Sequence, residues 1–444
     1  MIVCKFGGTS VGNTDAIRRL SRIVETRTPS RPVVVVSALA GVTNELLALA
    51  DAPSRDTIEG IVERHRRTAA ELGIPAAQTP DFELGGNELH DVLQRDHPGG
   101  SGARRDAVAS FGELWSSRLV AAALAADGLP TEWVDIRPLM VTNDRFTRAA
   151  PDISALRKNA RAAFLPLLER GRIPITQGFI GATTTGVPTT LGRGGSDYTA
   201  SLLGAALSAD RVEIWTDVDG IMTADPRLVP TARSLLFASD VEAAELSAFG
   251  AKVLHPATQL PLVEAGIPCV VLNSFAAERP GTTILPGWRP ELDSGDAVRS
   301  IAWKKGITVV NVRAPRMLGA VGFLRALFEI CARHGVSVDV LATSEVNLSL
   351  TLDDATNLEP LRHDLAELGD VTVRTGRALV AVVGTDLGAT KGVAARAFTA
   401  IRGINVEVIS QGASETNVAL VIREEDGPEA VRLLHRAFFD DVAD

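Results

Sequence analysis

The stretch "LGRGGSDYTA" at residues 191–200 sets a fixed cation, two adjacent glycines, a hydroxyl and a carboxylate ahead of a helical pattern. Arg193 offers a planar, two-toothed grip on a carboxylate. Gly194 and Gly195 let backbone donors approach a phosphate or carboxylate. Ser196 or Asp197 reads as the cap of the following helix, which accounts for one of them without chemistry. Asp197 also suits the orientation of a lysine or a substrate amine. A second stretch, "KFGGTSVGN" at residues 5–13, joins a strand to a helix. Gly7 and Gly8 allow a close approach that a Cβ would block. Thr9 and Ser10 add hydroxyls near a helix start, where free N–H groups favour anions. Lys5 is placed to reach a phosphate. An ordinary tight turn is the bland alternative, and no Walker A pattern is present. Together the two stretches suit an acidic amino acid meeting a phosphate donor.

Weaker signals lie elsewhere. In "VVVSALAGVTN" (34–44), Ser37 and Thr43 suit a small polar substrate, although Thr43 or Asn44 also reads as a helix cap. In "FGELWSSRL" (111–119), Glu113 taken alone reads as part of a solvated helix face, with a charged pocket as the alternative. "WTDVDGIMTADPR" (215–227) is rich in turn residues. There Thr216 and Asp217 suit a nucleotide, and Arg227 its phosphates. In "FGAKVLHP" (249–256), Lys252 is a second cation candidate, and His255 reads as structural.

These residues need elements to hold them. Short apolar strands such as "MIVCKF", "RPVVVVSALA", "RIPITQGFIG", "RVEIWTDVDG" and "GIPCVVLNSF" alternate with helical patterns as far as about Ile284. That predicts a largely parallel sheet covered on both faces. "LPGWRPELDSGD" reads as a linker. Beyond it, the order strand, loop, helix, strand, strand occurs twice, with "HGVSVDVLATSEVNLSLTL" and "RGINVEVISQGASETNVALVI" visibly related. Such a repeat predicts paired α+β modules with a binding interface. The 444 residues fit two or three domains. The net charge of −9 argues against a nucleic-acid surface but not against a small anionic substrate. Three dispersed cysteines in apolar runs predict free buried thiols in a reducing compartment. No leader pattern or membrane-length apolar run occurs, so the expected location is cytoplasmic, with no membrane partner.

Taken in order, "KFGGTSV", "SALAGVTN", "GFIGATTTGVPTTLGRGGSDYTA", "WTDVDGIMTADPR" and "FGAKVLHP" resemble the aspartate kinase family of the amino-acid kinase superfamily. The repeats resemble its paired ACT domains, and the resemblance covers nearly the whole chain. It implies an α/β, carbamate-kinase-like sandwich with a largely parallel central sheet over residues 1–285. A linker at 286–298 and two ferredoxin-like ACT domains at 299–375 and 376–444 would follow, with no room for a fused homoserine dehydrogenase. The implied reaction is transfer of phosphate from ATP, with Mg²⁺, to the side-chain carboxylate of L-aspartate. It opens lysine, threonine and methionine biosynthesis. That carboxylate, with a pKa of about 4, is ionised at neutral pH and needs no strong base. Positioning and charge neutralisation must then supply the catalysis.

Under the resemblance, Lys5 stabilises the transferring phosphoryl group with the amides of Gly7 and Gly8, and Asp197 organises Lys5. Arg193 grips aspartate and Glu113 balances its ammonium. Ser37, Thr43, Phe179 and Ser196 complete the cradle. Thr216, Asp217, Met222, Arg227 and Lys252 serve ATP, and Met222 stands where relatives often place a tyrosine. Mg²⁺ is expected to ride on phosphates and water, with no protein metal site. The first module is expected to bind an amino-acid effector, lysine ahead of threonine. Its residues would be Met317, Gly322, Phe323, Leu324, Ser337, Val338, Asp339, Ser344 and Glu345. Pairing of ACT domains between chains implies a homodimer or larger homo-oligomer.

Overall fold

The computed structural model describes residues 1–250, 256–287, 297–412 and 414–440. Two compact units emerge. The first comprises Met1–Ile221, Ser234–Ala243 and the described part of Val253–Leu292; the second comprises Met222–Arg233, Ala244–Lys252 and Asp293–Asp444, again in their described parts.

The first unit is built on strands β1 (Ile2–Phe6), β2 (Pro32–Val36), β3 (Thr131–Trp133), β4 (Val141–Thr142), β5 (Ile173–Gln177), β6 (Ile180–Thr183), β7 (Pro188–Thr190), β8 (Arg211–Thr216), β9 (Phe237–Ser239), β10 (Cys269–Asn273) and β11 (Thr282–Leu285). Eight of them form one sheet in the order β3-β5-β2-β1-β8-β10-β11-β9. The first six run parallel, β11 is antiparallel to β10, and β9 is parallel to β11. Every residue of "IVCKF" and "PVVVV" is buried, as a sheet covered on both faces requires. "RIPITQGFIG" is divided between β5 and β6, because Gly178 and Phe179 turn the chain between them. Strands β4, β6 and β7 make a small second sheet.

Register places the site. Phe6 pairs with Val36 on one side and with Trp215 on the other, and Val36 pairs with Gln177. The residues just beyond these pairs therefore emerge along one edge, at the carboxyl ends of four adjacent strands. The chain passes from β1 to β2 on one side and returns to β8 on the other, the kind of switch point that opens a crevice in α/β sheets.

The second unit contains β12 (Val298–Arg313), β13 (Leu341–Thr343), β14 (Asn347–Leu352), β15 (Asp370–Gly384), β16 (Val408–Gln411) and β17 (Asn417–Arg423) in the order β13-β14-β12-β15-β17-β16. All neighbouring pairs are antiparallel. Two apolar cores lie on this sheet. One gathers Val310, Val312, Leu327, Leu348, Leu350 and Leu361. The other gathers Val298, Ile301, Val380, Val382, Leu420 and Leu434. The long pair β12–β15 thus serves both cores, with irregular register around Lys305, Ile307 and Val309 where it passes from one to the other. Ile301, placed in the first module by its order in the chain, packs with the second core, as does Val298 from the end of the expected linker. The first core is nested within the second module instead of simply preceding it.

Candidate active site

Lys5 is the penultimate residue of β1, and its ammonium lies 2.5 Å from Asp197 Oδ1, with side-chain exposures of 10% and 19%. Asp197 stands in the first turn of the helix Gly195–Leu207. That helix is not capped by Ser196 or Asp197. Its cap is Gly194, in the left-handed region at φ 73°, which leaves both side chains free for the site. A Cβ on Gly7 would approach Lys5 Nζ to 3.4 Å, so glycine here leaves room beside the ammonium. The Gly7 amide is unavailable to a phosphate, contrary to expectation. It donates to Trp215 O at 3.2 Å and so ties the turn to β8. Gly8 opens the short 3-10 turn Gly8–Ser10, and Ser10 Oγ bonds to Ser274 Oγ at 2.8 Å.

The β2 end brings in Ser37, whose amide donates to Phe6 O at 3.1 Å. Thr43 lies in the first turn of the helix Val42–Asp51, but the cap is Gly41 at φ 87°, not Thr43 or Asn44. Glu113 departs furthest from its isolated reading. Far from a solvated face, it is 3% exposed. One carboxyl oxygen accepts from Ala38 N at 3.3 Å, and Oε2 has no hydrogen-bond partner. Its helix, Gly100–Ala126, is buried along most of its length. Ser116 Oγ from the same helix donates to Ser37 O at 2.7 Å. Burial pushes the Glu113 carboxyl up to about 8, opposed by the Ala38 amide. A half-satisfied buried acid facing the β2 turn has one oxygen available to a cationic partner.

Phe179 sits at φ 67° between β5 and β6. Its amide donates to Thr199 Oγ1 at 3.0 Å, and its carbonyl accepts from Leu191 N at 2.9 Å. The turn also abuts the helix start: a Cβ on Gly178 would lie 2.6 Å from Ser196 Cβ. Phe179, Ser196 and the Arg193 loop therefore converge. Arg193 is exposed. At the end of β8, Thr216 Oγ1 donates to Asp217 Oδ1 at 3.2 Å, and Asp217 is exposed. Met222 and Arg227 belong to the second unit. There Met222 O accepts from Ser300 Oγ, and Asp225 clasps the Arg227 guanidinium through Nε and Nη2. Lys252 and His255 lie outside the described residues.

Glu213 and Asp106 are among the buried carboxylates that escaped the sequence reading. Glu213, on β8, receives Arg27 and Arg211 and the Trp215 indole N–H. Asp106, on the same helix as Glu113, accepts from Thr147 N, Thr190 N and Thr190 Oγ1. The signal for Asp106 was its spacing. It lies seven residues before Glu113, two turns away on one face of a helix whose other residues are mainly small and apolar.

In the second unit, the predicted effector residues surround the first core. Met317 ends a short 3-10 turn, and Gly322 caps the helix Phe323–Arg333 at φ 89°. Ser337, Val338 and Asp339 precede β13; Ser344 and Glu345 form the turn before β14. Ala314 N donates to Val346 O at 2.8 Å and links the Met317 turn to that hairpin. Met317, Phe323 and Val338 pack on the core. Ser337, Asp339, Ser344 and Glu345 are exposed, as is Leu324. The Ser344 hydroxyl is engaged with Asn347. Partial desolvation raises the Asp339 carboxyl, against the pull of Lys304.

Comparison with known proteins identifies the family. Residues 1–273 match the amino acid kinase family, and residues 380–438 match the ACT domain. The lysine-sensitive aspartokinase 3 of Escherichia coli is 40% identical over 99% of both chains. The chloroplastic aspartokinase 2 of Arabidopsis thaliana is 34% identical over 99% of this chain and 84% of that one. Among solved structures, E. coli aspartokinase III with aspartate and ADP, in its R-state, aligns with a TM-score of 0.87 at 39% identity, covering 99% of this chain and all of that one. The same enzyme with lysine and aspartate, in its T-state, aligns with a TM-score of 0.84, covering 99% of both chains. The chain belongs to the amino acid kinase family, as one of its aspartokinases.

Proposed function

We propose that this aspartokinase moves the γ-phosphoryl group of MgATP onto the side-chain carboxylate of L-aspartate, and that L-lysine restrains it through the first ACT module. The observation that carries the catalytic reading is the Lys5–Asp197 pair, 2.5 Å apart at the mouth of the central sheet. Asp197 holds the ammonium in one place, and Lys5 neutralises charge as the phosphoryl group leaves ADP and bonds to the aspartate oxygen. The Gly8 side of the first turn, not the Gly7 amide, faces the phosphates. Arg193 takes a carboxylate of aspartate in its fork, and Glu113 becomes the ionised partner of the α-ammonium. Ser37, Thr43, Phe179 and Ser196 shape the cradle, while Thr216, Asp217, Met222, Arg227 and Lys252 serve the nucleotide. Mg²⁺ arrives on the phosphates and keeps its waters, since Asp197 is already committed to Lys5.

The lysine reading is supported by the lysine-sensitive relative and the lysine-bound structure. The exposed carboxylates Asp339 and Glu345 would meet the cationic effector. Exposed Leu318, Val321 and Phe328 in the same module supply apolar surface for pairing with a second chain. Three buried thiols, Cys4, Cys269 and Cys331, suit a reducing, cytoplasmic setting.

ADP release with MgATP and L-aspartate tests this. Turnover is expected with aspartate and not with L-glutamate, with at least a hundredfold lower kcat in Lys5→Ala. Millimolar L-lysine should inhibit and L-threonine should not. Turnover indifferent to aspartate, or to the loss of Lys5, refutes the catalytic reading; indifference to lysine refutes the effector.

A further inference from the structure

We propose that Asp106 is a positioning residue for aspartate: it pins two separate segments to one helix and so fixes where Arg193 stands. The proposal rests on Arg193 being the grip on aspartate.

Asp106 is 1% exposed on the helix Gly100–Ala126. Its Oδ2 accepts from Thr147 N at 2.8 Å and from Thr190 N at 2.9 Å, and its Oδ1 accepts from Thr190 Oγ1 at 2.7 Å. The segments it joins are far apart in sequence. Thr190 ends β7, three residues before Arg193. Thr147 is held at φ 69°, a region that β-branched residues rarely occupy. Such a conformation persists only where its surroundings impose it. Here the carboxylate engages the Thr147 amide, and Ala149 N donates to Thr190 O at 2.9 Å, closing the two segments on each other.

The next residues depend on this clamp. Gly192 stands at φ 80°, and a Cβ there would lie 3.1 Å from Thr147 O. Arg193 therefore emerges between a residue passing tightly over Thr147 and the left-handed Gly194 that starts the Asp197 helix. Neither Thr190 nor Thr147 can shift without moving Arg193. Glu113 lies two turns along the same helix. One rigid element thus places the acid for the ammonium directly and the Arg193 fork through Asp106. Asp106 itself is engaged by the Thr147 and Thr190 amides and the Thr190 hydroxyl.

The test is steady-state kinetics on four variants. Asp106→Ala should raise the KM for aspartate at least tenfold, leaving the KM for ATP within about twofold. Asp106→Asn should restore the wild-type value to within about threefold. Its amide oxygen can accept both N–H groups while its NH2 donates to Thr190 Oγ1. Thr190→Val, which loses only the hydroxyl, should raise the aspartate KM a few-fold and carries the test if Asp106→Ala does not fold. Arg193→Ala separates the two ideas. If Arg193→Ala raises the aspartate KM while Asp106→Ala and Thr190→Val do not, the clamp is refuted and the grip stands. An unchanged aspartate KM in Arg193→Ala removes the grip and the proposal with it. Equal loss in Asp106→Asn and Asp106→Ala also overturns it, because charge and not hydrogen bonding would then be at work.

Discussion

Glu113 shows how much of a residue's chemistry is decided by what surrounds it. Its folded-state pKa of about 8 exceeds the ordinary value of 4.5 because burial disfavours the charge. Between those values the folded protein holds a proton that the unfolded chain has lost. The stability contribution of this group therefore falls as pH rises from about 4.5 to 8 and levels off above. A bound ammonium reverses the preference and draws the proton off. Aspartate binding should accordingly strengthen as pH rises, with KM falling by up to tenfold per unit until about pH 8 and then flattening. Glu113→Gln should bind aspartate weakly and lose that dependence; a wild-type KM that is flat from pH 6 to 8 would contradict the role. The residue's burial was hard to see in the sequence because amphipathicity was the wrong test. Ser110, Ser116 and Ser117, its polar neighbours, are buried as well. A helix enclosed on all sides can hide polar groups wherever they find partners.

At the scale of elements, strands and helices were largely legible, and caps were not. The buried runs "IVCKF" and "PVVVV" announced the sheet, and the helical pattern after "LGRGGSDYTA" announced the helix that carries Asp197. The cap positions went to Gly41 and Gly194 because the backbone there turns left-handed, and the polar residues that follow drew the assignment two or three positions too far. The junction of Gly178 with Ser196 was likewise invisible, since it depends on how closely two distant segments approach. That closeness yields a prediction. In Gly178→Ala the new methyl would meet Ser196 Cβ at 2.6 Å and Cα at 2.7 Å. The Asp197 helix must then shift, at a cost of about 1–3 kcal/mol. Calorimetry should show a lower Tm and assays a lower kcat, whereas unchanged values for both would mean that the turn yields freely.

For the whole molecule, the ordered motifs and the repeats, through their resemblance to the aspartate kinase family, implied a kinase unit and an ACT unit but not the weaving of the second. Related sequences in tandem read as beads on a string. Only the ladder reveals that β12 and β15 each run through two cores, because pairing over 13 positions is a long-range property. Surface apolarity is informative at this scale too. Leu318, Val321, Leu324 and Phe328 are all exposed around one helix of the first module, and Val321 is fully so. Such a cluster marks an interaction surface. Light scattering should find a homodimer or larger assembly, and Val321→Asp with Phe328→Asp should shift it to monomers. A monomeric wild-type protein at micromolar concentration would overturn the pairing.

The woven strands have one more consequence. Lys305 faces Ala378 across the ladder, so the nested segment begins and ends at neighbouring points of one strand pair. Its entry and exit form a natural splice site. A tight turn joining those two positions would close the strand pair with the outer core's strands still adjacent, and a foreign sensor with closely spaced ends could be grafted there. In this architecture the nested module is a cassette, and the strand pair beneath it is its socket.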